Sequence, residues 1–129
     1  MQIFTAMPYK LNWEEKGMYI KWFGRATAEE NINLNGEIYG DKRFDTIEYQ
    51  IGDFLDVDSV DFSDKEVNVI AKLEMHASVW NKKIKAVHIT KDPDLIRKIK
   101  LYETQLKGSG WQFMIFDNLE DARKWVSSE

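Results

Sequence analysis

Hydrophobic and polar residues alternate near the start of the chain in a pattern that predicts a β-hairpin. Residues 9–13 alternate, residues 14–17 predict a turn, and residues 18–23 return as a second strand. Gly17 is expected to supply a positive φ in that turn, because glycine adopts this conformation without steric cost.

Three later stretches also predict strands. Residues 46–51 alternate cleanly, so their three apolar side chains are expected to face the core. Residues 84–89 and 111–116 are apolar on both faces, which is typical of strands in the centre of a sheet.

Capping motifs mark the starts of two helices. Thr27 is followed three residues later by Glu30, and Ser63 by Glu66, which is the spacing of a capping box. The first helix is expected to reach about residue 39. Residues of low helix propensity predict that it is short or irregular: Asn31, Asn33, Asn35 and Gly36.

Residues 67–80 fit two structures. They alternate in part like a strand, but Ile70, Leu73, Ala77 and Trp80 recur at a helical spacing. The length of this segment and the cap at Ser63 favour a helix.

Two more helices are predicted after Asp92, which is followed by proline at the first helical position, and after Asn118. The predicted order is therefore ββαβαβαβα. This order favours a single α/β domain over residues 1–129, with a mixed, mostly parallel sheet of about five strands covered by helices.

The composition of the chain excludes several classes of protein. It has 129 residues, 43% hydrophobic and 31% charged, and it contains no cysteine, which excludes disulfides and thiolate metal sites. No apolar run approaches the ~20 residues that span a bilayer. The first eight residues lack the features of a signal peptide, so a cytoplasmic protein is expected.

Charge is distributed unevenly along the chain. Residues 53–66 carry six carboxylates and one lysine, and residues 82–107 carry eight basic residues and three acidic ones. These segments predict two solvated surfaces, and the acidic one is a candidate for binding a cation or a protein. Because the pI is about 5.3, nucleic acid is not an expected partner.

The five tryptophans and seven phenylalanines are more than a core of this size requires. Trp80, Trp111 and Trp125 are expected to close the core beneath helices. The remaining aromatic residues favour either an apolar pocket or a surface for self-association.

The stretch Phe-Leu-Asp-Val-Asp-Ser-Val at residues 54–60 resembles the nucleophile motif of haloacid-dehalogenase-type phosphatases. Such enzymes need Mg²⁺, a lysine and further carboxylates around the first aspartate. The motif should also follow a buried strand directly, whereas residues 52–55 intervene here. Phosphatase chemistry with Asp56 and Asp58 is therefore a remote alternative, and these residues are interpreted as an acidic loop.

Other chemistries have less support. A calcium loop beginning at Asp56 fails at its fifth, sixth and twelfth positions. His76 and His88 lack the spacing of a metal site, and no serine-nucleophile or phosphate-binding glycine motif is present. No cofactor, metal or catalytic residue is predicted. His88 is interpreted as a hydrogen-bonded core residue.

The chain resembles the SpoIIAA-like domains, which are related to the STAS and Sec14-type group. The resemblance rests on Gly17-x-Tyr19-x-Lys21-x-x-Gly24, on the Arg-Phe-Asp…Asp-Phe pattern of residues 43–54, on Ala86-Val87 and on Ala122-x-x-Trp125. It implies a helix at residues 67–80. It also implies that many relatives are small bacterial proteins without an assigned activity.

One family motif is absent. Anti-sigma-factor antagonists carry a phosphorylatable serine in Asp-Ser-[Ser/Thr]-Gly-x-Gly at the start of the second helix. The corresponding region here contains Ser63 between Phe62 and Asp64 and has no glycine. Nearby carboxylates oppose a phosphate on Ser63, so the resemblance does not extend to switching by phosphorylation.

The sequence thus leads to a non-enzymatic binding or regulatory module. Its partner is expected to be a protein or a second copy of the chain in a homodimer, and the alternative is a carrier of a small apolar ligand or lipid. Arg43 and Asp53, which flank the third predicted strand, and Ser63 are the candidate ligand- or partner-binding residues.

Overall fold

The computed structural model describes residues 8–128 as a five-stranded sheet with four α-helices. The strands are β1 (Tyr9–Trp13), β2 (Gly17–Thr27), β3 (Tyr49–Asp61), β4 (Lys85–Ile89) and β5 (Gln112–Phe116). The helices are α1 (Ala28–Tyr39), α2 (Asp64–Ala77), α3 (Pro93–Gln105) and α4 (Leu119–Val126), and a 3₁₀ turn at Lys42–Asp45 precedes β3. The predicted α/β class and element order are confirmed.

The strands lie in the sheet in their order along the chain. β1 is antiparallel to β2, and each later pair is parallel, which confirms the predicted mixed, mostly parallel sheet. Right-handed crossovers repeated in one direction place the connecting helices on one face of a sheet. Accordingly, α1, α2 and α3 pack on one face. α4 packs on the other face, against Ile51, Val87 and Ile89.

The hairpin is confirmed, but the expected role of Gly17 is wrong. The positive-φ glycines among residues 8–128 are Gly24, Gly108 and Gly110, and Gly17 is not one of them. A Cβ atom on Gly17 would lie 2.5 Å from the ring of Tyr49 on the neighbouring strand. Glycine is needed here because the Tyr49 ring packs directly on the backbone.

The acidic loop predicted after residue 51 is wrong as well. β3 continues to Asp61, and its second half pairs with β2 as far as Thr27. The strand begins at Tyr49 rather than residue 46, and Leu55 is 39% exposed. Long-range pairing with β2 therefore overrides the low strand propensity of aspartate.

α1 is a regular helix of 12 residues, contrary to the prediction of a short or irregular one. Its low-propensity residues take part in packing: Asn35 is buried and donates a hydrogen bond to Asn31 at 3.2 Å. The helix in residues 67–80 is confirmed, although Trp80 lies beyond its end.

The buried face of α2 differs from the predicted stripe. It consists of Val67, Ile70, Ala71, Glu74 and Ala77. A glutamate therefore lies in the middle of an apolar helix face.

The tryptophans have different environments. Trp111 is buried, as predicted, and its indole N–H donates to the Asn81 carbonyl at 2.7 Å. Trp80 is 74% exposed, so its predicted core position is wrong. Trp125 is half-buried and packs beside Phe116.

β5 is an edge strand rather than a central one, and its Met114 is 40% exposed. Within residues 8–128, the helices are all too short or too polar to cross a membrane. The residues on which the signal-peptide expectation rests lie mostly outside the described part of the chain.

Candidate functional site

Arg43 lies in the 3₁₀ turn, and its side chain contacts neighbouring residues of the protein. Its Nε and Nη2 atoms donate to the Asp41 carboxylate at 3.0 and 2.6 Å, and its guanidinium lies 4.4 Å from the centre of the Trp13 ring. The paired guanidinium lowers the pKa of Asp41 to about 2. Arg43 thus joins the 3₁₀ turn to the hairpin.

Asp53 lies in the middle of β3 and is 4% exposed. One carboxylate oxygen accepts a hydrogen bond from the Tyr19 hydroxyl, and the other accepts one from the Leu55 N–H at 3.0 Å. Burial and the Asp53 carboxylate together raise the pKa of Tyr19 well above its usual value. Both oxygens of Asp53 therefore have protein partners.

Ser63 is the N-cap of α2. Its hydroxyl accepts from the Glu66 N–H at 3.1 Å, and the Glu66 carboxylate accepts from the Ser63 N–H at 3.0 Å. The predicted capping box is thereby confirmed. The Ser63 hydroxyl satisfies a helix N–H group that otherwise has no partner within the helix.

The structure does not bring these three residues together. Arg43 precedes β3, Asp53 lies within it and Ser63 follows its end. A strand rises by about 3.3 Å per residue, so the two ends of this 13-residue strand are on the order of 40 Å apart. Arg43 and Ser63 cannot belong to one small site.

Asp56 and Asp58 lie inside β3 rather than at its end. Asp56 forms an ion pair with Lys21 of β2 at 2.8 Å. Within residues 8–128, no group of three or more carboxylate or histidine side chains is arranged to hold a metal ion.

The carboxyl edge of the sheet, where the parallel strands end and the four helices begin, is acidic. Each helix has a side-chain N-cap there: Thr27, Ser63, Asp92 and Asn118. The first helical turns carry Glu29, Glu30, Asp64, Glu66, Asp94, Glu120 and Asp121. Carboxylates stabilise helix N-termini through the helix dipole, and the fold collects all four N-termini at one edge.

At the same edge, β2 and β3 extend beyond the rest of the sheet. β3 pairs with β2 as far as Asp61 but with β4 only as far as Asp53. Within the described residues, β2 therefore flanks residues 54–61 on one side, with two register shifts in the pairing, and no strand flanks them on the other side. We call residues 54–61 the open edge. Between the open edge and residues 90–92 lies a groove of about 250 Å³.

A second candidate site lies beneath α1, α2 and α3. Two adjoining cavities of about 60 and 50 Å³ are both lined by Asn31, Phe54, Glu74 and His88. Tyr102 and Lys98 also line the larger one. We call the two together the Glu74 cavity.

Polar atoms around the Glu74 cavity are buried without hydrogen-bond partners in the described part of the chain. They are Glu74 Oε2, His88 Nδ1 and the hydroxyls of Tyr39 and Tyr102. Burial raises the pKa of Glu74 to about 7, and the nearby hydroxyls of Tyr102 and Tyr39 oppose this effect. Neither hydroxyl has the geometry of a full hydrogen bond to the carboxylate.

His88 is the second titratable group of this cavity. Burial lowers its pKa to about 4, so the imidazole is neutral at pH 7. Its ring lies between Phe54 and Tyr102, with ring centres 6.3 and 5.4 Å away. The expected core position is only partly met, because His88 is half-buried, and the expected hydrogen bond is not present at Nδ1.

Sequence reasoning did not identify Glu74 as a functional candidate. The only signal was its spacing, because Glu74 follows Val67 and Ile70 at helical intervals. A carboxylate on the apolar face of a helix is an exception to the usual distribution of charged residues.

Comparisons with protein-family models and with curated proteins give no match. Solved structures do match. The anti-sigma factor antagonist SpoIIAA in its unphosphorylated form is similar over 94% of this chain and 99% of its own, with a TM-score of 0.61 and 13% identity. An anti-sigma factor antagonist from Mycobacterium paratuberculosis matches over 93% of both chains, with a TM-score of 0.57 and 16% identity.

The phosphorylated form of the Bacillus cell fate determinant SpoIIAA is also similar. It matches 92% of this chain and 98% of its own, with a TM-score of 0.56 and 13% identity. At such identities the likeness establishes the fold alone. The chain has the SpoIIAA-like fold, as the sequence resemblance implies.

Proposed function

We propose that this SpoIIAA-like domain is a non-enzymatic regulatory module that binds a protein partner at the carboxyl edge of its sheet. The observation that carries the proposal is the open edge of β3. Apart from the Leu55 N–H, which donates to Asp53, its outward N–H and C=O groups lack a strand neighbour. An extended peptide can add a strand to such an edge. The SpoIIAA-like fold of anti-sigma factor antagonists supports a regulatory role.

The charge of the open edge favours a basic partner segment. Asp56 and Asp61 are ion-paired with Lys21 and Arg25 of β2. Within residues 8–128, Asp58 has no ion-pair partner. An incoming strand with lysine or arginine opposite Asp58 would gain a cross-strand ion pair, worth roughly 0.2–1 kcal/mol.

A second copy of the chain fits this edge less well. Pairing two open edges would place aspartates of one strand beside aspartates of the other, and like charges at such positions are destabilising. Homodimer formation, which the aromatic content suggests, is therefore expected to use another surface. Val79 and Trp80, which are 68% and 74% exposed, are the apolar residues for that surface.

The alternative function of an apolar-ligand carrier has less support. The two parts of the Glu74 cavity, about 60 and 50 Å³, are much smaller than the ~300–1,000 Å³ of typical ligand pockets. Polar groups also line both parts. Native mass spectrometry of the protein purified from its own cells tests the alternative, because a co-purified lipid would support the carrier function.

Site-specific photo-crosslinking in the native cells tests the docking surface. A photoreactive phenylalanine analogue at position 59 lies on the open edge and leaves Asp58 in place, and the same analogue at the exposed position Glu15, in the hairpin turn, is the matched control. We expect a defined protein adduct from position 59 that is absent from position 15 and that is lost when Asp61→Lys is added.

The protein identified in this way is then purified and titrated against the wild-type chain and Asp58→Lys. We expect Asp58→Lys to weaken binding at least fivefold and Glu15→Lys to leave it unchanged. Adducts that are identical at both positions, or binding that does not respond to Asp58→Lys, would remove the support for this docking surface.

The non-enzymatic part of the proposal has a separate test. We expect no turnover of an aryl phosphate in the presence of Mg²⁺, because Asp56 is paired with Lys21 and no group of metal-binding side chains surrounds it in residues 8–128. Turnover that is abolished by Asp56→Asn would contradict the proposal.

A further inference from the structure

The Glu74 cavity contains a combination of groups that the proposed docking surface does not use. It has one buried carboxylate, a neutral imidazole and the Tyr102 hydroxyl around a space that polar and apolar side chains line together. We propose that this cavity binds a small primary amine, whose ammonium group contacts the Glu74 carboxylate. This inference does not depend on the docking surface at the open edge.

The first argument is the charge of the cavity. Glu74 is 7% exposed, and in residues 8–128 no basic side chain forms an ion pair with it. Lys98, the other charged group of the lining, is bound to Asp94 at 3.3 Å. A buried carboxylate without a cation is costly, and a bound ammonium would remove that cost.

The second argument is the number of acceptors. An ammonium group has three N–H donors. Glu74 Oε2, the Nδ1 atom of neutral His88 and the Tyr102 hydroxyl oxygen are all buried around the cavity without partners. All three atoms can accept a hydrogen bond, and the Tyr39 hydroxyl beside Glu74 is a fourth acceptor, so the protein offers an acceptor for each donor of the ligand.

The third argument concerns the walls of the cavity. The rings of Phe54, His88 and Tyr102 provide aromatic surface for a cation, and Ile70 and Ile99 provide apolar surface for a short alkyl chain. Space for one water-sized group is about 10–15 Å³, so a volume of about 60 Å³ accommodates roughly four non-hydrogen atoms. Ethylamine and propylamine have this size.

Other ligand classes fit less well. A carboxylate or phosphate would place a second negative charge beside Glu74, which is unfavourable in a buried site. An alcohol of the same length can form hydrogen bonds but leaves the charge of Glu74 uncompensated. The matched alcohol is therefore the most informative control ligand.

The proposal also predicts how binding depends on pH. The ammonium pairs with ionised Glu74, whose pKa burial raises to about 7. Alkylamines, like lysine, keep their proton until about pH 10. We therefore expect the affinity for the amine to rise about tenfold between pH 6 and pH 8.

The test is a titration of the full ¹⁵N-labelled chain with propylammonium chloride at constant ionic strength, with 1-propanol and sodium chloride as controls. We expect saturable shifts of the amide signals of Glu74 and His88 with the amine only. Glu74→Gln should weaken binding at least tenfold, and Tyr102→Phe should weaken it severalfold. Glu15→Gln, an exposed substitution far along the chain, should leave it unchanged.

Each contrary result overturns the proposal. These results are an absence of saturable shifts, equal binding of propanol and propylammonium, an affinity that does not change with pH, and full binding by a folded Glu74→Gln protein. The amide spectrum of each variant establishes its folding, and Tyr102→Phe provides an independent test if Glu74→Gln does not fold.

Discussion

Folding shifts the pKa values of Glu74 and His88 in opposite directions. Burial raises the pKa of Glu74 to about 7 and lowers that of His88 to about 4. The stability that protonated Glu74 contributes is present below its unfolded pKa and is lost as pH rises through about 7. The contribution of neutral His88 is present above its unfolded pKa and is lost as pH falls through about 4. Between pH 4.5 and 6.5, a rise in pH therefore lowers the stability through Glu74 and raises it through His88.

This opposition predicts an unusual behaviour of Glu74→Gln. Glutamine imitates the protonated form of Glu74, so the variant should be more stable than wild type at pH 8, by on the order of 3 kcal/mol. The difference should disappear near pH 5, where Glu74 is protonated in the folded protein. Urea unfolding at both pH values measures it, with Glu15→Gln as the control. A variant that is less stable at pH 8 would contradict the assigned environment of Glu74.

At the level of single residues, the sequence predicted local roles better than distant ones. The N-caps at Ser63, Asp92 and Asn118 follow from neighbouring residues, and the structure confirms them. Tyr19, which donates to Asp53, and the side chains that surround Glu74 lie on other elements, so no local pattern contains them.

At the level of elements, two glycines in adjacent strands differ in whether they leave space for a Cβ atom. A Cβ atom on Gly17 would lie 2.5 Å from the Tyr49 ring, whereas one on Gly52 would have its closest contact at 3.4 Å, with Phe54. The first distance is a steric overlap and the second is an ordinary contact.

We therefore predict different effects of alanine at these positions. Gly17→Ala should lower the free energy of unfolding by about 2 kcal/mol, because the Tyr49 ring or the strand must move. Gly52→Ala should raise it by about 0.5 kcal/mol, because alanine reduces the entropy of the unfolded chain. Chemical denaturation of both variants measures this, and a stable Gly17→Ala protein would contradict the close packing of the hairpin on Tyr49.

The capping box of α2 gives another prediction for an element. Ser63→Ala removes the acceptor for the Glu66 N–H and should cost about 1 kcal/mol of stability. Ser63→Asp, which retains an acceptor at the N-cap, should stay close to wild type. Thermal unfolding separates this capping role from a role in partner binding, because a binding role alone would leave stability unchanged.

The second half of β3 could not be predicted from its own residues. Asp56, Asp58 and Asp61 are unfavourable in strands, and their spacing matches an acidic loop equally well. Pairing with β2, more than 30 residues away, decides the structure, and Lys21 and Arg25 of β2 form ion pairs with Asp56 and Asp61. Such long-range information is absent from any short stretch of sequence.

At the level of the whole molecule, the two parts of β3 differ in the number of strands that flank them. Residues 49–53 of β3 lie between two strands, whereas residues 54–61 have one strand neighbour. A segment whose backbone has fewer hydrogen-bonded neighbours opens locally at a lower free energy.

Hydrogen exchange should reveal this difference. We predict that amides of residues 56–61 exchange at least tenfold faster than those of residues 50–53, as measured by NMR in deuterated buffer. Binding of a partner strand should slow exchange in residues 56–61 alone. Equal protection along the whole of β3 before binding would contradict an open edge.

The order of the strands in the sheet has a consequence for the synthesis of the protein. Because β1 to β5 lie side by side in chain order, each strand after the first leaves the ribosome when the preceding strand, its neighbour in the sheet, has already been synthesised. Domains tend to form from the N-terminus as the chain emerges, and contacts between nearby segments form sooner than distant ones. The nascent chain can therefore add one strand and one helix at a time to an existing edge, without waiting for its C-terminus.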